Sequence, residues 1–554
     1  MPDSGGKNGG WITFPFITVT VIGLGLATGG WLANLVVYLI KEFNVKNIDA
    51  AQIANVVNGC TSLFPVLGAT VADSFGCFPV VAVSSFISFL GILLLALTTI
   101  SNSLRPPSCE DGSSLCTSPS TLQFAILFSG ITLASLGSGG SRFTLATIGA
   151  NQFGEPKDQA TFFNWFFFTL YASSAVSATA IVYIEDNVSW AWGFALSFGA
   201  NLLALIVFLL GRRFYRRVKP QGSPFMDLAR VIVAAIRKRK AVLSSSGEDY
   251  SHGHDGSTRM VEEAVPSSSF RFLNHAALKT EADNLSGLIT QSWTLSTVKQ
   301  VEDLKTLIRI LPLWSTGVFL STPIGVQSSL VVLQALTMDR QLGPNFQIPA
   351  GSILVFVLIS TSVSLPLIVR FLIPTWQKLT GQSPTLLQRV GVGHVLNVIS
   401  MVISAFVESK RLRMARTHHV QSHPDATVPM LALWLLPQLA VIGIAEAFHF
   451  PGQVALYYQE FPASLKSTST AMIAMLIAIA FYLSTALIDF IRSVSDWLPD
   501  NINKGRLDNV YWVLVGVGVV NFGYYLVCAK LYKYQNIERG MDEARESEKQ
   551  AQLL

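Results

Sequence analysis

The sequence predicts an all-α polytopic membrane protein with twelve transmembrane helices in two six-helix bundles. Three observations carry that prediction. Half of the 554 residues are hydrophobic and only 13% are charged, about half the charged share of an ordinary soluble chain. Uncharged apolar runs recur along the chain, each near the ~20 residues that cross a bilayer as a helix. One long hydrophilic stretch divides these runs six and six, the layout of chains built from two related halves.

The runs fall at 12–40, 50–72, 77–100, 122–150, 160–184 and 189–211, then at 310–336, 348–374, 386–407, 429–454, 467–490 and 508–530. The chain therefore reads as an N-terminal bundle (1–211), a linker (212–308), a C-terminal bundle (309–530) and a polar tail (531–554). The linker carries Arg212, Arg213, Arg216, Arg217 and Lys219, then Arg237 to Lys240, with an amphipathic helix expected near 225–240. Its remainder, including the tract SSSGEDYSHGHDGS, is expected to be mobile.

Basic clusters mark the cytoplasmic side of a membrane protein. They place the linker in the cytoplasm, and an even number of spans on each side puts both termini there too. Lys410, Arg411, Arg413 and Arg416 disagree, because parity places them outside between spans nine and ten. The linker cluster is larger, and parity keeps the topology. The polar start MPDSGGKNGG, followed by an apolar run continuing to Ile40, does not read as a cleavable signal. The net charge of +5 belongs to loops and is no nucleic-acid signal, so the bilayer is the expected macroscopic partner.

Of five cysteines, Cys109 and Cys116 share one loop that parity places outside, and they are the candidates for a disulfide. Cys60, Cys77 and Cys528 lie in or beside apolar runs and read as packing residues. No CxxC pair or ligand-spaced cluster points to a metal, and no cofactor is expected. No GxxxxGK[ST], HExxH or GxSxG occurs, which argues against an enzyme.

Between Asp111 and Glu155 the only charged residue is Arg142, behind the string Gly137-Ser138-Gly139-Gly140-Ser141. An arginine at membrane depth costs about 2.5–3.5 kcal/mol on insertion scales, so it should face a bundle interior or a wet cavity. Glu446 occupies the tenth span as Arg142 occupies the fourth, and the two suggest a pair across a central cavity. The alternative is that each meets water or backbone separately. An arginine's planar fork also fits a small oxyanion such as nitrate or a carboxylate. His449, three residues after Glu446, is the second candidate for a proton relay, a packed core histidine being the alternative. From Trp11 to Ile40 there is no charged residue, so the first span offers no titratable group for proton coupling.

Several stretches resemble the plant nitrate/peptide transporter family, a branch of the major facilitator superfamily related to proton-coupled oligopeptide transporters. Thr161 to Phe167 resembles its FFNWFY signature. Gly137 to Arg142 with Gly149 to Phe153 resembles its GTGGIKP…FGADQF block. Val301 to Lys305 with Leu311 to Trp314 resembles the start of span seven, and Leu436-Pro437-Gln438 with Glu446-Ala447-Phe448 the span-ten block. The resemblance covers nearly the whole chain. It implies the major facilitator fold and alternating access.

The departures from that pattern shape the expected function. The family's ExxER proton-coupling motif, aligned by the following Asn34, falls on Val21, Leu24 and Gly25, so its ionisable groups are missing. The span-four lysine is here Arg142. A span-five asparagine used for peptide binding falls on Tyr171, and the position of a nitrate-binding histidine in one relative falls near Ile324. The pattern is most similar to the plasma-membrane nitrate excretion subgroup, whose members lack ExxER. The expectation is a nitrate efflux or loading transporter without obligatory proton symport. Arg142 and Glu446 form the gate or anion contact, with Asn34, Tyr171 and Gln327 completing the candidate site. Chloride transport, proton-coupled nitrate transport through Glu446, and a non-transporting receptor are the alternatives. Ser244-Ser245-Ser246 and the basic helix offer a place for a kinase or regulatory partner, or serve only as a solvated tether.

Overall fold

The computed structural model describes residues 9–107, 118–153, 156–216, 224–244, 246–252, 266–280, 293–344, 346–382, 384–422, 427–460 and 466–532. Each expected span meets helix. The first-half spans are Phe14–Ala33, Asn47–Phe75, Cys77–Ile100, Thr121–Ala150, a fifth in three pieces, and Trp190–Leu210. The fifth joins Pro156–Val176, a π turn Ser177–Ile181 and Val182–Asn187. The second-half spans are Val298–Leu336, an eighth in pieces, Leu386–Thr417, Leu436–Glu460, Lys466–Val494 and Leu507–Leu531. The eighth runs through Val355–Leu367, a π turn Ile368–Leu372 and Ile373–Thr380. Pro366 lies just before that turn and cannot donate the next helical hydrogen bond, which accounts for the break. Among the described residues eleven helices are long and apolar enough to cross a membrane, and the segmented fifth is not one of them.

Two compact units emerge. The first holds residues 1–220, 316–452 and 474–525, which is most of both bundles, and the second holds 221–315, 453–473 and 526–554. Compactness therefore does not follow the two-bundle division read from the sequence.

In the first unit, close helix approach depends on the small residues. An added Cβ at Gly137 would lie 2.2 Å from the Ser88 amide nitrogen in span three. At Gly139 it would lie 2.7 Å from Phe64 Cβ in span two. The glycine string of span four is thus a packing seam against two neighbours, and it fixes the height and rotation of the helix that carries Arg142.

At the ends of the helices away from the linker, the two halves are joined by polar contacts. Arg492 pairs with Asp49 at 2.6 Å, Lys46 with Asp500 at 3.4 Å and Arg340 with Asp186 at 3.5 Å. Tyr183 stacks on Phe346 with ring centroids 5.7 Å apart.

Of the basic cluster that conflicts with the expected topology, Arg411 is buried while Lys410, Arg413 and Arg416 are exposed. Span nine does not end near residue 407 but runs to Thr417, and Arg411 is 0% exposed. It donates to Glu408 at 2.7 and 2.6 Å, to Thr337 at 3.0 Å and to Asn503. Gln334 donates to the same carboxylate at 2.6 Å, and Tyr511 donates to Gln334 at 3.0 Å. Lys410 lies over the Trp434 ring at 3.3 Å. Arg411 is thus a neutralised interior group rather than a free loop charge.

In the second unit the linker is more ordered than its composition suggests. The helix Pro224–Arg237 buries Leu228, Val231, Ala234 and Ala235, and the short helix Arg271–Ala276 with Ala277 supplies buried apolar side chains beside it. Tyr250 bridges to Leu278 and donates its hydroxyl to Ser244 O at 2.8 Å. The expectation of a mobile stretch is therefore corrected for 246–252 and 266–280, because the amphipathic helix has an apolar face that these segments cover. Lys305, at 0% side-chain exposure, pairs with Glu302 at 2.7 Å and donates to Ser267 O at 2.9 Å, tying the start of span seven to the returning linker.

Removing one partner of a buried ion pair strands the other charge, typically at a cost of about 3–5 kcal/mol. Arg411→Met should therefore lower stability by about that much, read as a fall in the thermal midpoint of the purified protein. Combining it with Glu408→Met should restore most of the loss.

Candidate functional site

Arg142 is exposed although it lies well inside span four. It opens onto a cavity of about 150 Å³ walled by one face of span one, Thr61 of span two, and parts of spans four and five. Arg142 is the sole ionisable residue among those lining it. The span-one wall includes Val21, Leu24 and Gly25, so it carries no charge there. Hydroxyls of Thr28, Thr61, Ser138 and Ser141 soften that wall without titrating. A guanidinium facing a wettable space escapes much of the cost of membrane burial.

Tyr171 and Glu446 lie beyond that lining. Tyr171 is 42% exposed, and its hydroxyl is within electrostatic reach of both Arg142 and Glu446. Glu446 is half-buried and accepts from the Thr361 hydroxyl at 3.4 Å. Among the described residues no ion pair joins Arg142 to Glu446 in this conformation, and Tyr171 is the group that interacts with both. These three are brought together as the candidate set.

Other expected residues take different places. Gln327 is buried and donates to Ser404 at 2.8 Å and Ser400 at 3.3 Å, so its amide joins span seven to span nine and does not line the cavity. His449 is fully buried with its ring 4.4 Å from that of Phe450, and it packs against Gly393, where an added Cβ would be 2.6 Å away. Cys109 and Cys116 lie outside the described residues.

Asn34 is 1% exposed and donates to Glu185 at 3.1 Å. Glu185, 2% exposed, was not anticipated. Beside Asp186 at the end of an apolar run it reads as a solvated helix end. Its carboxylate instead folds inward over Gly193, where an added Cβ would lie 2.1 Å from Glu185 Cγ. Only the glycine, eight residues on in another helix, could have signalled the pocket. Asn34 also faces the second half, since a Cβ on Gly351 would be 2.6 Å from its Oδ1. Asn34 thus belongs to the closure between halves rather than to the Arg142 cavity.

A chain of many membrane-length helices, its first and second halves joined by polar contacts at one end and a cavity facing Arg142 within the first half, has the make-up of a membrane transporter. The chain belongs to the POT family, whose model matches residues 78–503. It is 55% identical over 539 residues to Protein NRT1/ PTR FAMILY 2.6 of Arabidopsis thaliana, covering 97% of this chain and 95% of that protein. It is 54% identical over 534 residues to Protein NRT1/ PTR FAMILY 2.7 of the same plant, covering 96% and 94%. Among solved structures it is similar to an auto-inhibited POT family peptide transporter, with a TM-score of 0.70 at 16% identity, covering 94% of this chain and 97% of the other. That likeness supports the fold. The membrane transporter class and the absence of an enzymatic role follow from family membership.

The Asn34–Glu185 contact gives a test. Asn34→Asp removes the donor and sets a second carboxylate against a buried one. It should destabilise the protein by about 1–3 kcal/mol, seen as a lower thermal midpoint, while Asn34→Gln should lose less.

Proposed function

We propose that this transporter moves a small monovalent anion, nitrate in the first place, and that it does so without obligatory proton symport. The observation that carries the reading is the cavity in which Arg142 is the sole ionisable lining residue while Val21, Leu24 and Gly25 occupy the proton-coupling positions. A planar guanidinium donates two parallel hydrogen bonds to a planar oxyanion, which suits nitrate better than a spherical halide. The small volume and hydroxyl-dotted apolar wall fit an ion of a few atoms better than a peptide.

In this reading Arg142 holds the anion, and Tyr171 passes its position to Glu446 as the halves rock. With no proton carried, direction follows the electrochemical gradient. An inside-negative membrane favours exit of a monovalent anion by about 2.3 kcal/mol per 100 mV. The role is then efflux or loading at the plasma membrane, with the linker and both termini cytoplasmic. Glu446 favours one second reading. A half-buried carboxylate in reach of Tyr171 could carry a proton with the anion, and nitrate uptake would then follow the proton gradient.

Proteoliposomes with voltage and proton gradient set independently separate these readings. Nitrate flux should follow voltage at matched pH and exceed chloride flux. Accumulation of nitrate only under an imposed proton gradient would favour the Glu446 reading and refute the first. Arg142→Ala should abolish flux at unchanged abundance, and Arg142→Lys should keep only a small part of it, because an ammonium lacks the bidentate fork.

A further inference from the structure

A second cavity, of about 550 Å³, lies at the linker-side ends of spans two, three, four and six and shares no lining residue with the Arg142 cavity. Arg212 and Arg216 line it, and among the described residues no acidic side chain does. Both arginines are exposed. Among the described residues neither guanidinium has an ion pair or hydrogen bond, and Arg212 only lies over the Phe78 ring at 5.9 Å. The corner is built rather than frayed. Gln152 accepts from the Arg216 amide at 2.7 Å and donates to its carbonyl at 3.4 Å. Gly9 donates to Phe214 O at 2.8 Å and Gly10 to Gln152 O at 2.9 Å, so the N-terminal segment straps the same turn. Tyr215, only 5% exposed, also lines the cavity, and its hydroxyl finds no partner among the described residues.

Apart from the amides of Asn151 and Gln152, the remaining wall is apolar. Phe75 is 75% exposed and Val83 57% exposed, on helices long and apolar enough to cross a membrane. Two fixed cations and a largely apolar wall reaching the exposed helix surface match one kind of molecule. Basic pockets between helices near the membrane surface bind anionic headgroups. A free phosphate would use the arginines and leave the wall idle.

We infer that this cavity is a site for an anionic phospholipid of the linker-side leaflet, with its phosphate on Arg212 and Arg216 and its acyl chains along Phe75, Phe78 and Val83. The lipid would sit outside the substrate path and brace the turn between spans two and three against the ends of spans four and six. That turn pivots on Gly76 at φ +90°, a conformation that side chains rarely adopt.

The test uses delipidated full-length protein titrated with phosphatidylglycerol, phosphatidylcholine or inorganic phosphate, with adducts counted by native mass spectrometry. The wild type should bind phosphatidylglycerol at least about tenfold more tightly than an R212Q/R216Q double variant. Phosphatidylcholine should not distinguish the two, and millimolar inorganic phosphate should leave the lipid adduct in place. Equal phosphatidylglycerol affinity in the double variant overturns the site. Displacement by phosphate overturns the lipid and leaves a free-anion site. If the double variant does not melt like the wild type, Arg212→Gln and Arg216→Gln alone are measured. Each should lose affinity severalfold, and unchanged affinity in both overturns the proposal.

Discussion

Everything in this structure turns on the cost of placing charge at membrane depth. An isolated charge there is unfavourable by several kcal/mol, and the chain meets that cost in different ways. Arg411 is surrounded, with Glu408, Asn503, Thr337 and a peptide carbonyl meeting its donors. Arg142 instead faces a cavity in which, among the described residues, no lining side chain is acidic. The first arrangement makes a rigid strut. The second leaves a fixed positive charge available to something that arrives from outside the protein. That contrast is a physical reason to propose Arg142, and not Arg411, as the substrate contact.

The spans and the dividing linker were legible because apolar run length is a one-dimensional property that folding cannot alter much. Arg142 stood out for the same reason, as the lone charge in a long uncharged run. What escaped depended on neighbours distant in sequence. Glu185 reads as solvated until Gly193 is seen to make room for it. Arg411 reads as a misplaced loop charge until Glu408, Gln334 and Asn503 are seen to converge on it. Gln327 was expected at the site as a polar group in a span, but Ser400 and Ser404 on the adjacent helix claim its amide. Polar residues within spans therefore signal that a partner exists without saying whether the partner is protein or cargo.

The closure at the ends away from the linker has a bearing on how the transporter moves. It rests on ion pairs such as Arg492–Asp49, in which the partners are 30% and 42% exposed, and Lys46–Asp500, at 66% and 45%. Exposed pairs of this kind contribute roughly 0.2–1 kcal/mol each. A few of them bias the halves toward closure without locking them. The buried Glu408–Arg411 network, by contrast, lies wholly within the second half and need not break when the halves separate. The buried Glu408–Arg411 network holds the second half together, whereas the halves meet through two exposed pairs and the more buried Arg340–Asp186 contact at 3.5 Å. An element that opens is drawn from the low-stability end of a structure, and the exposed pairs are that end of this closure.

Asn34 belongs to the closure. It stands at the break between span one and the following helix Leu35–Phe43, donates to Glu185 in the first half, and lies against Gly351 of the second. Separating the halves there removes Gly351 from its Oδ1 and admits water to a carboxylate otherwise held by one amide. Span one also supplies the wall of the Arg142 cavity through Val21, Leu24, Gly25 and Leu32. The helix that walls the Arg142 cavity is therefore the helix whose end is clasped by the opposite half. A ligand that draws the span-one wall toward Arg142 acts on the Asn34 contact through a rigid helical segment, and it shifts the closure only by the difference in its affinity for the two arrangements. An apolar span one suits that task. With no charge of its own to rehydrate, it can move between a dry and a wet cavity at little electrostatic cost.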